Sequence, residues 1–220
     1  MRKNIIRLAA LCAVFAIILA CAGCTTTSKG ETTIREPDEN FLGDFKPFQL
    51  DNCMAVTKSL SGTIIPKEME MYFAPRQNTV EAYFSYGMDK IAVVFTLEER
   101  VAFKEGIMAY MEAYNAGNLP ERAPDRKNYF TRTPVTVAWG VMGLSYSADT
   151  YVRINYEYLE REKPYFVATF ESANAKKDDT ASPKMDIYFT PSQLEALLET
   201  IDQDEFQARV DELNRQAYEW

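Results

Sequence analysis

Ile91-Ala92-Val93-Val94-Phe95-Thr96-Leu97-Glu98-Glu99 and Met185-Asp186-Ile187-Tyr188-Phe189-Thr190-Pro191-Ser192-Gln193 are the two stretches that set the fold. Each is a short β-rich run ending in Phe-Thr, followed by an amphipathic segment. Thr96 and Thr190 have the chemistry of helix N-caps. Glu99 and Gln193 stand three residues later, so each pair forms a capping box. Pro191 falls at the first helical position, where its missing N–H is harmless. The first helix carries Phe103, Ile107, Tyr110, Met111 and Tyr114 at helical spacing, with Gly117 as its stop. The second carries Leu194, Leu197, Leu198 and Ile201.

Strand patterns precede each helix. Met69, Met71 and Phe73 alternate with Glu68, Glu70 and Tyr72, and Val80, Ala82 and Phe84 alternate with Glu81, Tyr83 and Ser85. Tyr86-Gly87-Met88-Asp89 then reads as a hairpin turn. A weaker strand runs from about Ala55 to Ile65. In the second half Val135, Val137, Trp139 and Val141 alternate, as do Val152, Ile154, Tyr156 and Tyr158, and a third strand covers about Tyr165 to Ser172. A polar loop from Ala173 to Lys184 leads to Met185, and a last helix spans about 203–218. The expected fold is therefore α+β. Two antiparallel-sheet-plus-helix halves, β-β-β-β-α twice (about 50–117 and 134–202), share one core, with an extra C-terminal helix, in a single domain over 41–220. This order is similar to the paired repeats of the PUR and Whirly nucleic-acid-binding folds, a likeness of element order that matches no motif residue.

The N-terminus gives an address. Arg2, Lys3 and Arg7 precede an apolar run from Leu8 to Ala20. Thirteen helical residues span roughly 20 Å, short of a ~30 Å hydrocarbon core, so the run reads as an export signal. It ends in Ile18-Leu19-Ala20-Cys21-Ala22-Gly23-Cys24, which resembles the lipobox of bacterial lipoproteins. That resemblance implies a signal peptide over 1–20, acylation of Cys21 (alternatively Cys24) and attachment to a membrane through N-terminal acyl chains. It places the protein in the bacterial cell envelope. Neither cysteine is followed by aspartate, which by the enterobacterial rule favours the outer membrane, facing the periplasm or the surface. Residues 25–40 are polar and aperiodic. With the lipidated cysteine they form a flexible tether over 21–40 that reaches roughly 20–25 Å.

Composition excludes several functions. The chain has 220 residues, 47% hydrophobic and 25% charged, with a net charge of −8. The first 24 residues hold three basic and no acidic side chains, so the mature chain carries 21 basic and 32 acidic groups, a net of −11. That balance opposes nucleic-acid binding. The chain has no histidine, which removes His-dependent triads, histidine bases and nearly every common zinc site. No phosphate loop, metal motif or nucleophile elbow is present, and no cofactor or metal is expected. Asp178-Asp179 lacks the ligand spacing of a calcium loop. Cys53 is either a small buried hydrophobe or the disulfide partner of Cys24.

The remaining candidates are carboxylates and aromatics. Glu68, Glu70, Glu81 and Glu157 fall on the polar faces of strands, where a facing pair would be needed for glycoside hydrolysis. Tyr72, Tyr83, Tyr151 and Tyr188 fall on the strand face opposite the core set. If exposed as a row they would contact a protein or glycan partner; if covered they are core. The sequence thus favours a non-enzymatic binding or scaffolding lipoprotein. The alternatives are a carboxylate-based hydrolase of envelope polymers and a carrier of an apolar small molecule.

Overall fold

The computed structural model describes residues 41–59, 61–120, 129–160 and 163–218; the expected signal peptide, the tether, Cys21 and Cys24 lie outside the described residues. In chain order the elements are β1 (Phe48–Gln49), β2 (Cys53–Lys58), β3 (Ile64–Ala74), β4 (Thr79–Tyr86), β5 (Asp89–Phe95), α1 (Leu97–Asn115), β6 (Thr131–Gly140), β7 (Tyr146–Glu160), β8 (Lys163–Phe170), β9 (Met185–Phe189), α2 (Pro191–Thr200) and α3 (Gln203–Tyr218).

The pairing overturns the expected architecture. The two halves do not form separate sheets with a helix each. Strands β2 to β9 make one antiparallel sheet that closes on itself, an eight-stranded barrel with β1 alongside β3. Closure depends on β3. Its first half pairs with β2 (Cys53↔Met69 through Lys58↔Ile64), and its second half pairs with β4 (Glu70↔Tyr83 through Ala74↔Thr79). Two further seams join the halves: β5 to β6, with Ile91 opposite Trp139, and β2 to β9, with Val56 opposite Tyr188. An eight-stranded ring removes the exposed edges that two four-stranded sheets would leave. The weak strand expected at 55–65 is in fact β2, a turn and the start of β3, with Gly62 at φ +83° in the turn.

Alternation decides what fills the barrel. Met69, Met71, Phe73, Val80, Ala82, Phe84, Ile91, Val93, Val135, Val137, Trp139, Ile154, Phe166 and Ile187 are all buried in one cluster. Charged and polar residues take the outer face. This is the reverse of a membrane-spanning barrel, whose outer band is apolar. The helices close one mouth, and Phe103, Ile107, Tyr110, Leu194, Leu197 and Phe206 join the same cluster. Phe73 stacks on Phe206 at 4.1 Å and Phe103 lies 4.9 Å from Phe95.

Both capping boxes form. Thr96 N–H donates to Glu99 at 2.7 Å and Thr190 N–H to Gln193 at 2.9 Å, and each threonine Oγ1 accepts the return bond. Gly117 takes φ +66°, a left-handed stop that a β-carbon would strain. Gly106 lets α1 lie close on the barrel. A β-carbon there would come within 2.4 Å of both Ile154 Cδ1 and Thr131 Cγ2.

Candidate functional site

An eight-stranded barrel is just wide enough for side chains to fill its interior. The lumen here leaves a free volume of about 40 Å³, bounded by Met71, Phe84, Val93, Phe95, Phe170 and Ile187 among others. Small-molecule sites run to roughly 300–1,000 Å³. A much larger concave surface lies instead on the helical side. A groove of about 1500 Å³ runs between α1, α2, α3 and the segment joining β1 to β2.

Beneath this side a polar staple closes the lumen. Arg100 stands in the first turn of α1, yet only 2% of it is exposed. Its guanidinium donates to Asn78 O at 3.3 Å, to Asn78 Oδ1 at 3.0 Å and to Gln203 Oε1. It also lies 5.2 Å from the Phe206 ring centroid and 5.8 Å from that of Phe73. Burial pulls its pKa down to about 10, partly offset by Asp202. It remains a cation at neutral pH, held by neutral acceptors and two aromatic faces. Asn78 has φ +49°, a left-handed conformation that asparagine tolerates. The staple therefore ties the β3–β4 turn, α1 and the start of α3 together.

Above it the groove is mixed in chemistry. Met108 (51% exposed), Ala196, Leu198 and Ala208 supply apolar surface. Asp51, Glu199, Asp202 and Glu205 outnumber Lys104 and Arg209 around it. Lys104 pairs with Asp202 at 2.9 Å, which holds the Asp202 carboxyl below its ordinary range. Asp202 also accepts from Asp204 N–H at 2.9 Å, capping the start of α3. Arg209 lies 4.1 Å over Phe48 and donates to Gln49 O at 3.3 Å. Both cations are thus engaged, and the rim is acidic.

The four tyrosines do not form one row. Tyr72 and Tyr83 meet edge to face at 5.6 Å on β3 and β4, and Tyr83 donates to Glu81. Burial, with that bond, pushes the Tyr83 phenol up to about 12. Tyr151 lies far around the barrel on β7, 41% exposed, with Arg132 stacked 3.4 Å over its ring. Tyr188 is 4% exposed. It packs with Val56 and Val167 on the outer face and donates to Glu157 at 3.0 Å. Burial first, then that carboxylate, raises its pKa. Of the two alternatives for the tyrosines, Tyr188 thus takes the covered one, inside an outer-face satellite cluster, and is not a contact residue.

The strand carboxylates sit on the outer face as expected. Glu157 pairs with Lys58 at 2.8 Å, Glu68 accepts from Asn52 at 2.9 Å, and Glu70 is exposed. A second outer cluster joins Glu171 to Arg132 at 2.8 Å and to Arg153 at 2.9 Å. Among the described residues no three His, Cys, Asp or Glu side chains gather as a metal site. Asp178 instead accepts from Thr180 N–H at 2.7 Å within its loop. Cys53 is buried, and its pairing with Cys24 falls outside the described residues. No described helix is long and apolar enough to cross a membrane.

Arg100 and the groove were not anticipated. Arg100 does carry a signal: it precedes Phe103, Ile107 and Tyr110 at helical spacing, so it stands on the apolar stripe. The groove has none, because it depends on how three helices sit together.

Comparison with known proteins yields one relative and one family. An uncharacterized protein of Treponema pallidum (strain Nichols) is 27% identical over 174 residues, covering 77% of this chain and 62% of the relative. The chain thus spans less than two thirds of that relative's length. No solved structure matches. The family model described as "Uncharacterised Treponema protein" matches residues 32–208, and is neither a PUR nor a Whirly family. With most of its length matched by that model, the chain belongs to this Treponema protein family.

Proposed function

We propose that the protein is an exported lipoprotein of the bacterial cell envelope, acylated at Cys21 (or Cys24), whose barrel domain binds a protein partner in the helix-walled groove. The export and anchoring part rests on the basic, apolar and Ala20-Cys21 sequence of the first 24 residues. The binding part rests on one observation: an open groove of about 1500 Å³ has apolar surface and an acidic rim, while the lumen is filled. Such a surface suits an amphipathic segment bearing Lys or Arg beside apolar side chains. Binding replaces chemistry in this reading, since the strand carboxylates are spread over the outer face and three of them, Glu157, Glu81 and Glu68, are engaged by Lys58, Tyr83 and Asn52.

Two measurements test it. Intact mass of the membrane-extracted protein should lack residues 1–20 (or 1–23) and carry acyl chains on the new N-terminal cysteine. An unacylated full-length chain refutes the anchor. A photo-crosslinking residue at Met108 should yield a discrete protein adduct in cells, lost when Glu199→Lys and Glu205→Lys are introduced together. The same residue at Met54, exposed on the outer face, should not. Equal adducts from both positions, or an adduct indifferent to the charge change, refute the groove.

A further inference from the structure

The barrel mouth opposite the helices carries an unusual set of turns. Lys90 pairs with Gly140 and Ile91 with Trp139, so the β4–β5 turn and the β6–β7 loop lie side by side. Turns on a water-soluble barrel are ordinarily polar. These two instead present Met88 at 84% exposure, Val141 at 61%, Met142 at 101% and Leu144 at 43%. Val141 was expected to continue the β6 strand; the loop turns it outward. No charged residue occurs from Gly140 to Ala148.

The display is held firmly. Gly87 sits at φ +61° in the first turn. In the second, Ser145 N–H donates to Trp139 O at 3.0 Å. The Gly143 carbonyl oxygen sits where a β-carbon on Gly140 would be, 2.0 Å from it. Behind the tip Tyr146 stacks 5.7 Å from the buried Trp139, an amphipathic ring at the level where such rings favour a membrane interface. Asp89 and Lys90 flank one turn, and Asp149 pairs with Lys176 at 2.7 Å beside the other.

We infer that this apolar tip inserts into the bilayer that carries the protein's own acyl anchor, at the level of neutral or zwitterionic headgroups. The inference rests on the anchored-lipoprotein reading only for bringing a bilayer near. Three features favour lipid over a second copy or a protein. The tip protrudes as separate apolar side chains, Met88, Val141 and Met142, on two narrow turns rather than as a flat face, which suits insertion among acyl chains. Its side chains expose roughly 500 Å², below the ~800 Å² per partner of a stable interface. The charges behind it balance, so the surface neither needs nor repels anionic lipid. The chain outside the described residues is also long enough. The barrel is entered at the β3–β4 turn, where Leu42 N–H donates to Pro75 O at 3.2 Å. Twenty residues from Cys21 to Phe41 extend to about 70 Å, whereas the eleven residues of β3 span about 36 Å.

The test uses the intact acylated protein in phosphatidylcholine vesicles. A genetically encoded environment-sensitive fluorescent residue replaces Met142, or Arg76 on the opposite mouth as reference. The probe at 142 should shift to the blue and be quenched by bilayer-borne nitroxide lipid at least threefold more than the probe at 76. Met88→Asp with Val141→Asp, both exposed and outside the core, should erase that difference. Equal quenching at both positions, or a shift that survives the aspartates, overturns the inference. So does a probe at 142 that is silent in vesicles yet responds in envelope protein extracts, which would assign the tip to a protein. Vesicle flotation is read in parallel. Protein that fails to float refutes the anchor, while the probe at 142, measured at raised lipid concentration, still reports on the tip.

Discussion

Replacing Arg100 examines how the barrel is sealed. The guanidinium makes three hydrogen bonds to Asn78 and Gln203 and packs against Phe73 and Phe206. Arg100→Ala leaves the Asn78 carbonyl and amide without these donors in a place where only 1% of Asn78 is exposed. A buried polar group left unpaired costs about 1–3 kcal/mol. The deleted side chain also enlarges the adjoining lumen void by ~80 Å³, or ~2 kcal/mol at about 24 cal/mol per Å³. Relief of the buried cation's desolvation offsets part of this. The expected loss is about 4 kcal/mol, a large share of a typical stability of about 5–15 kcal/mol. At about 2–4 °C per kcal/mol it lowers Tm by roughly 8–16 °C. Arg100→Met keeps the apolar stem and removes the charge, so about 2 kcal/mol is expected from the unpaired Asn78 alone. Urea unfolding followed by Trp139 fluorescence and circular dichroism measures both. A double-mutant cycle with Asn78→Gly, which keeps the left-handed turn, should show coupling above ~1 kcal/mol. If Arg100→Met equals or exceeds the native stability, desolvation outweighs the hydrogen bonds and the staple argument fails.

Other substitutions examine neighbouring claims. Gly106→Val should destabilise by about 2 kcal/mol, because overpacking against Thr131 and Ile154 exceeds the ~1 kcal/mol gained by removing a helical glycine; a rise in Tm contradicts the close approach of α1. Thr133 Oγ1 is buried and accepts or donates no hydrogen bond among the described residues, so Thr133→Val should stabilise by about 1 kcal/mol in the same urea assay. Glu171 is held below its ordinary pKa of 4.5, first by its hydrogen bonds from Arg132 and further by Arg153. A depressed carboxyl adds stability above its unfolded pKa and loses it as pH falls through the folded value. Thermal denaturation from pH 6 to 2 should therefore show a loss beginning near pH 4.5 that is shallower in Glu171→Gln; identical profiles refute the pairing.

Much of the fold was legible because local chemistry dictates it. Thr96 with Glu99 and Thr190 with Gln193 fixed two helix starts through side-chain geometry alone. Alternation at 69–73, 80–84 and 135–139 identified the buried face of three strands. Alternation names a face but not a neighbour. The seams that join the two halves, Ile91↔Trp139 and Val56↔Tyr188, link residues 48 and 132 positions apart, and no local signal distinguishes them from pairs within a half. Tyr188 illustrates the same limit: its outward direction follows from period two, but its burial follows from Val56 arriving on a strand far away in sequence.

The closed barrel also divides the molecule's chemistry by place. A filled lumen of about 40 Å³ ties interior side chains to stability. The helical mouth carries an acidic groove beside the Arg100 staple, and the opposite mouth carries apolar turns led by Met88 and Met142. Substitutions in these three regions are therefore separable. Lumen changes should move Tm and carry binding down with it. Glu199→Lys with Glu205→Lys should move partner capture at constant Tm, since both side chains stand on the open rim. Met88→Asp with Val141→Asp should move membrane depth and leave both Tm and partner capture alone. A rim or tip substitution that lowers Tm as much as a lumen substitution contradicts this division, because it would make that mouth part of the core rather than a surface resting on it.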